Sequence, residues 1–279
     1  MTSDFSDKET YQRDFLPKPY LEMYYAAEVG LLMKDGYIAI HAEKSLQYFH
    51  FQHSVSDFSV AGGVKGNLLI DIGSGPTIYQ FLSACECFKE IIATDYTDRN
   101  RQELELWLKK EPEAFDWSST VKFVCELEGD RQTWTEKEEK LRKTVTQVLK
   151  CDITKKNPLD SLVLPKADCL LTCLCLEGAC KDQDTFCCAL RNISSLLKAG
   201  GHLVIGGVLG TDMYMVGEKP FSSLVLDKEF LKKALTDAGY EVKQLEVDSR
   251  RDLSAFHLAH HTDAFFILAQ KMCVKSSLG

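Results

Sequence analysis

The stretch Asn67-Leu-Leu-Ile-Asp-Ile-Gly-Ser-Gly-Pro-Thr77 decides the fold. Its first six residues form an apolar run between Gly66 and Gly73, the pattern of a strand buried on both faces of a parallel sheet. Gly73 and Gly75 then remove side chains where a ligand must approach the backbone closely. A helix is predicted from Thr77 to Phe88, and its first turn would add oriented N–H groups. A second apolar strand, Glu90–Asp95, ends in a carboxylate 24 residues after Asp71. An acid at that place accepts both hydroxyls of a ribose in doubly wound sheets.

The pattern continues outward from this unit. Arg99–Lys110 carries Leu104, Trp107 and Leu108 at helical spacing, and Pro112 marks its end. Arg131–Lys150 is rich in Glu and Lys and reads as a solvated amphipathic helix with Val145, Val148 and Leu149 as its apolar stripe. Its end runs into a strand at Val148–Asp152. Ala167–Cys175 is a buried strand, Asp184–Leu197 a helix closed by Ala199-Gly-Gly201, and His202–Ile205 the next strand. Asp227–Ala238 is a helix with Gly239 as its cap. Tyr240–Val247 alternates with period 2, and Ala264–Ala269 is the last strand. No helical crossover separates these two, so an antiparallel pair is expected. The fold class is therefore α/β, Rossmann-like, with a mostly parallel sheet of about seven strands and an antiparallel C-terminal strand. No linker composition divides the chain. It reads as one domain, with residues 63–279 as the ligand-binding core and 1–62 as an N-terminal cap. Within that cap Lys34-Asp-Gly36 reads as a turn, Tyr37–Ile40 as strand-like and Tyr48-Phe-His-Phe51 as an aromatic cluster.

Composition narrows the function. The 279 residues carry a net charge of −8, which argues against a dedicated nucleic-acid binder. No apolar run of 18 residues suggests a membrane span, and Met1–Glu9 lacks the apolar stretch of a secretory signal. The 11 cysteines lie largely within apolar runs and form no CxxC pair, as expected of packing thiols in the reducing cytoplasm. His257-Leu-Ala-His-His261 lacks a further ligand type, so exposed histidines and no metal are expected there.

Two ligand classes suit a glycine loop of this kind. A dinucleotide fingerprint requires a third glycine where Ile78 stands, and Asp71 would repel a pyrophosphate. The D-x-G-x-G order suits S-adenosylmethionine, which carries a sulfonium and an ammonium and no phosphate.

The resemblance becomes specific in longer stretches. Asp71-Ile-Gly-Ser-Gly-Pro-Thr-Ile-Tyr-Gln80, Thr94-Asp-Tyr-Thr-Asp-Arg-Asn100, Trp107-Leu-Lys-Lys-Glu-Pro112 and Phe115-Asp-Trp117 resemble the nicotinamide, indolethylamine and phenylethanolamine N-methyltransferases. So do Leu149-Lys-Cys-Asp152, Tyr214-Met-Val-Gly217, Phe221-Ser-Ser223 and, near the start, Tyr11-Gln, Phe15, Tyr20-Leu-Glu and Tyr24-Tyr25. The likeness spans roughly residues 5–25 and 63–250. It implies that Gly73, Ser74, Gly75 and Thr77 line the methionine end of S-adenosylmethionine. Tyr20, Tyr25 and Tyr79 would contact its carboxylate and sulfonium region. Asp95 would hold the ribose with Tyr96 and Asn100 beside it, Asp152 and Ile153 would frame the adenine, and Cys173 would lie by the cofactor. Tyr24, Tyr214 and Ser223 would belong to the acceptor pocket. The implied partner is a small amine or thioether acceptor of a monomeric enzyme, with no nucleic acid and no membrane.

The sulfonium activates the methyl, so a nucleophile attacking in line needs mainly orientation and a dry site. No dedicated base is expected, and Tyr20 is the nearest candidate for positioning. Departures from the family matter as much. The nicotinamide enzyme carries an Asp, which orients the substrate amide, where this chain has Gly207. That tilts the expectation toward an indolethylamine-type acceptor. Glu177 reads equally as a carboxylate offered to an amine and as a solvated loop acid. Residues 26–62 are longer than the family's entry helices, and His257–His261 replaces an Asn-containing loop. Two readings follow, an active small-molecule methyltransferase and a family member that binds the cofactor without turnover.

Overall fold

The computed structural model describes residues 5–26, 37–49, 63–249 and 263–273. The expected turn at Lys34–Gly36, the residues His50 and Phe51, and the histidine group at 257–261 lie outside these residues.

Seven strands make the central sheet. They are β1 (Gly66–Ile72), β2 (Phe88–Asp95), β3 (Val145–Lys150), β4 (Ala167–Cys173), β5 (Leu197–Leu209), and, after a separate hairpin of β6 (Met213–Val216) and β7 (Lys219–Ser222), β8 (Tyr240–Ser249) and β9 (Asp263–Lys271). Their order is β3-β2-β1-β4-β5-β9-β8, with β9 antiparallel to both neighbours. From β1 the chain winds outward to β2 and β3, then returns to place β4 and β5 on the other side. The point of reversal, beyond the carboxyl ends of β1 and β4, is where open α/β sheets leave a crevice for ligands.

Alternation along each strand separates two cores. Leu69, Ile91 and Leu171 face α3 (Tyr37–Phe49), α4 (Asp98–Leu108), α5 (Ser118–Leu127) and α6 (Trp134–Thr144). Ile70, Ile92 and Leu170 face the other layer, which holds α7 (Leu176–Ala179), α8 (Gln183–Ser194) and α9 (Lys228–Asp237). The N-terminal helices α1 (Lys8–Asp14) and α2 (Pro17–Tyr25) lie at the cavity end, with Phe15 packed on Phe221 of β7. Among the described residues no helix is long and apolar enough to cross a membrane.

Three local expectations are corrected. The predicted helix Thr77–Phe88 is instead a pair of 3-10 turns, Tyr79–Phe81 and Ala84–Glu86. Side chains capture the carbonyls that an α-helix would use. Thr77 Oγ1 donates to Ser74 O (2.9 Å), and Gln80 Nε2 donates to Ser74 O and Thr77 O (3.2 Å each). The solvated helix of Arg131–Lys150 ends at Thr144, and Val145–Lys150 pairs with β2 as an edge strand. Its valines and threonine are β-branched and fit a pleated surface better than a helix. Lys137 within that helix is fully buried rather than solvated. Finally, the strand-like Tyr37–Ile40 opens α3. Tyr37, His41, Ser45 and Phe49 recur every fourth residue on its buried face, a period that four residues were too few to reveal.

Candidate active site

A cavity of about 230 Å³ opens at the reversal point. Its floor is the loop after β1. Gly73 and Gly75 adopt φ of +71° and +60°, the left-handed region that glycine enters without strain. A Cβ at Gly73 would lie 2.1 Å from Cys175 Sγ, so backbone and thiol are in direct contact there. Ser74 fastens the loop to β2: its N–H donates to Thr94 O (2.8 Å) and its Oγ accepts from Thr94 N–H (3.1 Å). Asp71 does not line the cavity. It is buried beneath the loop, accepts from Gln80 Nε2 (3.3 Å), and has its pKa pushed up to about 7 by burial. It therefore shapes the loop rather than presenting a charge to a ligand.

Asp95, at the end of β2, is fixed by three N–H donors. Gly75 N–H donates to Oδ2 (2.9 Å), while Thr97 N–H (2.8 Å) and Asn100 Nδ2 (3.2 Å) donate to Oδ1. Burial raises its pKa, and these donors oppose the rise. The Oδ1 of Asn100 faces the same cavity, is buried, and has no partner among the described residues. Farther along, Asp152 accepts from Lys8 Nζ (2.8 Å) of α1 and from Thr154. Burial raises the Asp152 pKa, but these donors outweigh it and hold the carboxyl below its usual range. Tyr96 lies between Lys8 and Lys150, whose Nζ atoms are 5.6 Å and 4.7 Å from its ring.

Aromatic residues of α1, α2 and α3 close the opposite end. Tyr20 and Tyr25 share a hydrogen bond between hydroxyls (3.2 Å), and Tyr25 stacks on Tyr79 (5.5 Å). Burial pushes the Tyr20 phenol up to about 12, so it stays protonated near neutrality. Tyr24 donates to Met215 O (2.8 Å), and Tyr214 shares a hydrogen bond with Tyr11 (2.7 Å). Ser223 N–H donates to Asp212 O (2.8 Å). Cys173 Sγ lies 3.3 Å from His41 Nε2, and burial lowers the His41 pKa to about 3, leaving the imidazole neutral.

Glu177 is buried, which overturns its reading as a solvated loop acid. It stands on α7, and Oε1 accepts from Val208 N–H (3.4 Å). Burial pushes its pKa up to about 7. A Cβ at Gly207 would lie 2.8 Å from this Oε1 and 2.7 Å from the Phe265 ring, so the Glu177 carboxyl occupies the space where a side chain at 207 would begin.

Every residue assigned from the sequence to the cofactor or the acceptor, from Tyr20 and the glycine loop to Ile153 and Ser223, lines this one cavity, whereas Asp71 and Gly207 do not. The structure adds Lys8, Tyr11, Phe15, Tyr37, Cys175, Val208 and Thr211. Tyr11 and Phe15 carried a sequence signal in the aromatic spacing near the N-terminus. Tyr37 was hidden by the misread start of α3. Among the described residues no cluster of three or more metal-ligating side chains exists.

The chain matches the sequence model of the NNMT/PNMT/TEMT family over residues 3–272. It is 51% identical to nicotinamide N-methyltransferase of Homo sapiens, over 98% of each chain. It is also 51% identical to indolethylamine N-methyltransferase of Mus musculus, over 94% of this chain and 95% of that one. Among solved structures, magnesium protoporphyrin IX methyltransferase from Synechocystis with bound S-adenosylmethionine has the same fold, with a TM-score of 0.59 at 12% identity over 97% of this chain and 100% of that one. A glycine loop, an anchored Asp95 and an aromatic roof at the reversal point of a seven-stranded sheet thus coincide with whole-length kinship, and the chain belongs to the NNMT/PNMT/TEMT family of S-adenosylmethionine-dependent N-methyltransferases.

Proposed function

We propose that the chain methylates the nitrogen, or a thioether sulfur, of a small amine or heteroaromatic acceptor, and that its preference is indolethylamine-like rather than nicotinamide-like. The observation that carries this preference is the pairing of Gly207 with Glu177. An Asp at 207 has no room beside Phe265 and the Glu177 carboxyl. The acid in this part of the cavity comes from α7 instead, suited to a cationic or hydrogen-bonding amine.

The cavity fits S-adenosylmethionine on its own chemistry. Nothing stands within 4 Å of a Cβ placed on Gly75, so the backbone there is open to a ligand. Asp95 keeps lone pairs for ribose hydroxyls, and the orphaned Asn100 Oδ1 beside it calls for a donor. In this reading Gly73, Ser74, Gly75 and Thr77 hold the methionine portion, with Tyr20, Tyr25 and Tyr79 around its carboxylate and sulfonium. Asp95, Tyr96 and Asn100 hold the ribose, Asp152 and Ile153 frame the adenine, and Cys173 flanks the cofactor. Tyr24, Glu177, Tyr214 and Ser223 face the acceptor. When bound, the cofactor supplies an electrophilic methyl group on a sulfonium sulfur. The chain's own part is to orient the acceptor lone pair and exclude water. Tyr20 positions rather than abstracts a proton, because its phenol remains protonated near neutrality. Glu177, poised near pH 7, is the group able to accept a proton from an ammonium.

Residues 1–62 act as a cap on a single catalytic domain, a role supported by the side chains that α1, α2 and α3 each place in the cavity. The protein works as a monomer in the cytoplasm, where its unpaired thiols remain reduced. The test is methyl transfer followed by mass spectrometry, with nicotinamide, tryptamine, a phenylethanolamine and a dialkyl sulfide offered in parallel. Product from tryptamine or the sulfide, with little from nicotinamide, is expected. Nicotinamide as the best acceptor overturns the preference. Product from none, with S-adenosylhomocysteine still bound, overturns turnover and leaves a cofactor-binding protein.

A further inference from the structure

Tyr37 is the first residue of α3 and lines the cavity, yet it belongs to the segment that departs most from the family pattern. Its ring is held on two sides, stacked on Phe266 (5.6 Å, 27°) and set edge-on to Tyr79 (6.3 Å, 88°). Its hydroxyl is thereby aimed at the end of β5, where a Cβ on Gly206 would lie 2.6 Å from it. Tyr37 in this position thus requires Gly206, since any side chain at 206 would displace the phenol. The residue is only 5% exposed, and among the described residues its hydroxyl has no oxygen or nitrogen partner, only the Cys173 thiol, a weak acceptor, within reach. A buried hydroxyl left unpaired is costly unless a ligand completes it. Cys173, Glu177, Tyr25, Tyr20, Tyr79 and His41 are its titratable neighbours, and burial keeps the phenol protonated. It is therefore available as a donor to an uncharged acceptor atom.

Resting on the reading of the cavity as a methyl-acceptor site, we infer that Tyr37 is a specificity-determining residue whose hydroxyl selects small amines bearing a second, uncharged polar group, such as a hydroxyl or a ring nitrogen. The selection is one hydrogen bond deep, so it should amount to about three- to tenfold in affinity.

The test measures acceptor binding to the full chain saturated with S-adenosylhomocysteine, by titration calorimetry, and so does not depend on turnover. The probes are 2-phenylethylamine and its side-chain-hydroxyl, ring-hydroxyl and pyridyl counterparts. At least one polar counterpart should bind the unaltered protein about three- to tenfold more tightly than the parent amine. Tyr37→Phe should erase that advantage, leave the parent amine and S-adenosylhomocysteine unaffected, and not lower the melting temperature. Gly206→Ala, which moves the hydroxyl without removing it, should lose the same advantage. The inference is overturned if no counterpart gains over the parent, if the gain survives Tyr37→Phe, or if it is lost instead in Thr211→Val, whose hydroxyl is also buried and unpartnered in this cavity. Methylated product without Tyr37-dependent selection overturns this inference alone. Tyr37-dependent binding without product overturns only the proposed turnover.

Discussion

Glu177 concentrates the pH behaviour of the site. Its carboxyl keeps its proton up to about pH 7 in the folded chain, against 4.5 for an unhindered Glu. Between those values the folded state holds more protons than the unfolded one, so the stabilising share from this group is complete below pH 4.5 and fades as pH rises through 7. Acceptor binding runs the other way. A cationic amine gains a carboxylate partner only as Glu177 ionises, so affinity for tryptamine should climb as pH rises from 6 to 8, and Glu177→Gln should flatten that climb. Calorimetric titrations at several pH values check this, and an unchanged pH profile in the variant counts against Glu177 as the amine's partner. Asp95 and the two glycines were legible in the sequence because their geometry is local: a strand end, a turn and the next strand end. The state of Glu177 was not, because its burial depends on Gly207 and Phe265, which are distant in the chain.

Helix and strand boundaries follow tertiary partners more than composition. The Glu- and Lys-rich α6 reads as a solvated helix, yet Lys137 is fully buried and its ammonium reaches Glu128 and, at 3.1 Å, Glu86. Gln132 and Lys140 converge on the same Glu86. Burial alone would raise the Glu86 pKa, but Lys140, Gln132 and Lys137 overcome it and bring it down to about 2. Lys137→Met would remove the buried cation that Glu128 and Glu86 share, leaving Glu86 to Lys140 and Gln132. A loss of about 3 kcal/mol is expected, read as a lower urea midpoint. An unaltered midpoint would mean the two acids find water instead. Charge runs in a sequence do not reveal such a centre, because Glu86 sits 51 positions before Lys137 in a turn that itself was predicted as helix. The central strands were plain by contrast, since Leu68–Ile72 and Ala167–Cys173 are apolar enough to be buried whatever packs on them.

Across the whole molecule, the short helix α1 ties distant parts of the chain together. Lys8 reaches Asp152, Gln12 Nε2 donates to Asp98 (2.9 Å), and Lys219 Nζ donates to Asp14 (2.8 Å). Each pair is partly exposed and individually weak, so α1 is held over the cavity mainly by their number and by Phe15. A Lys8→Ala, Gln12→Ala double variant should therefore bind S-adenosylhomocysteine about five- to tenfold more weakly while melting within about 2 °C of the unaltered protein. Equal affinity would show that α1 does not contribute to holding the ligand. The parallel order of the sheet was deducible from alternating short and long apolar periods, and so was the reversed pair at the end. The ties that hold the cap down were not, because they join α1 to residues 86 to 205 positions later.

The place of β9 carries a consequence for how the chain is made. Of the nine described strands it is the last to leave the ribosome, yet it fills an interior slot between β5 and β8. Until residues 263–271 emerge, the stretch His202–Leu209 of β5 offers the nascent chain's surroundings a largely apolar, unpaired edge. A transcript cut short just before this strand would thus yield a polypeptide with every residue proposed to hold the cofactor in place and an adhesive seam down its middle, fit for chaperones and proteases rather than for chemistry.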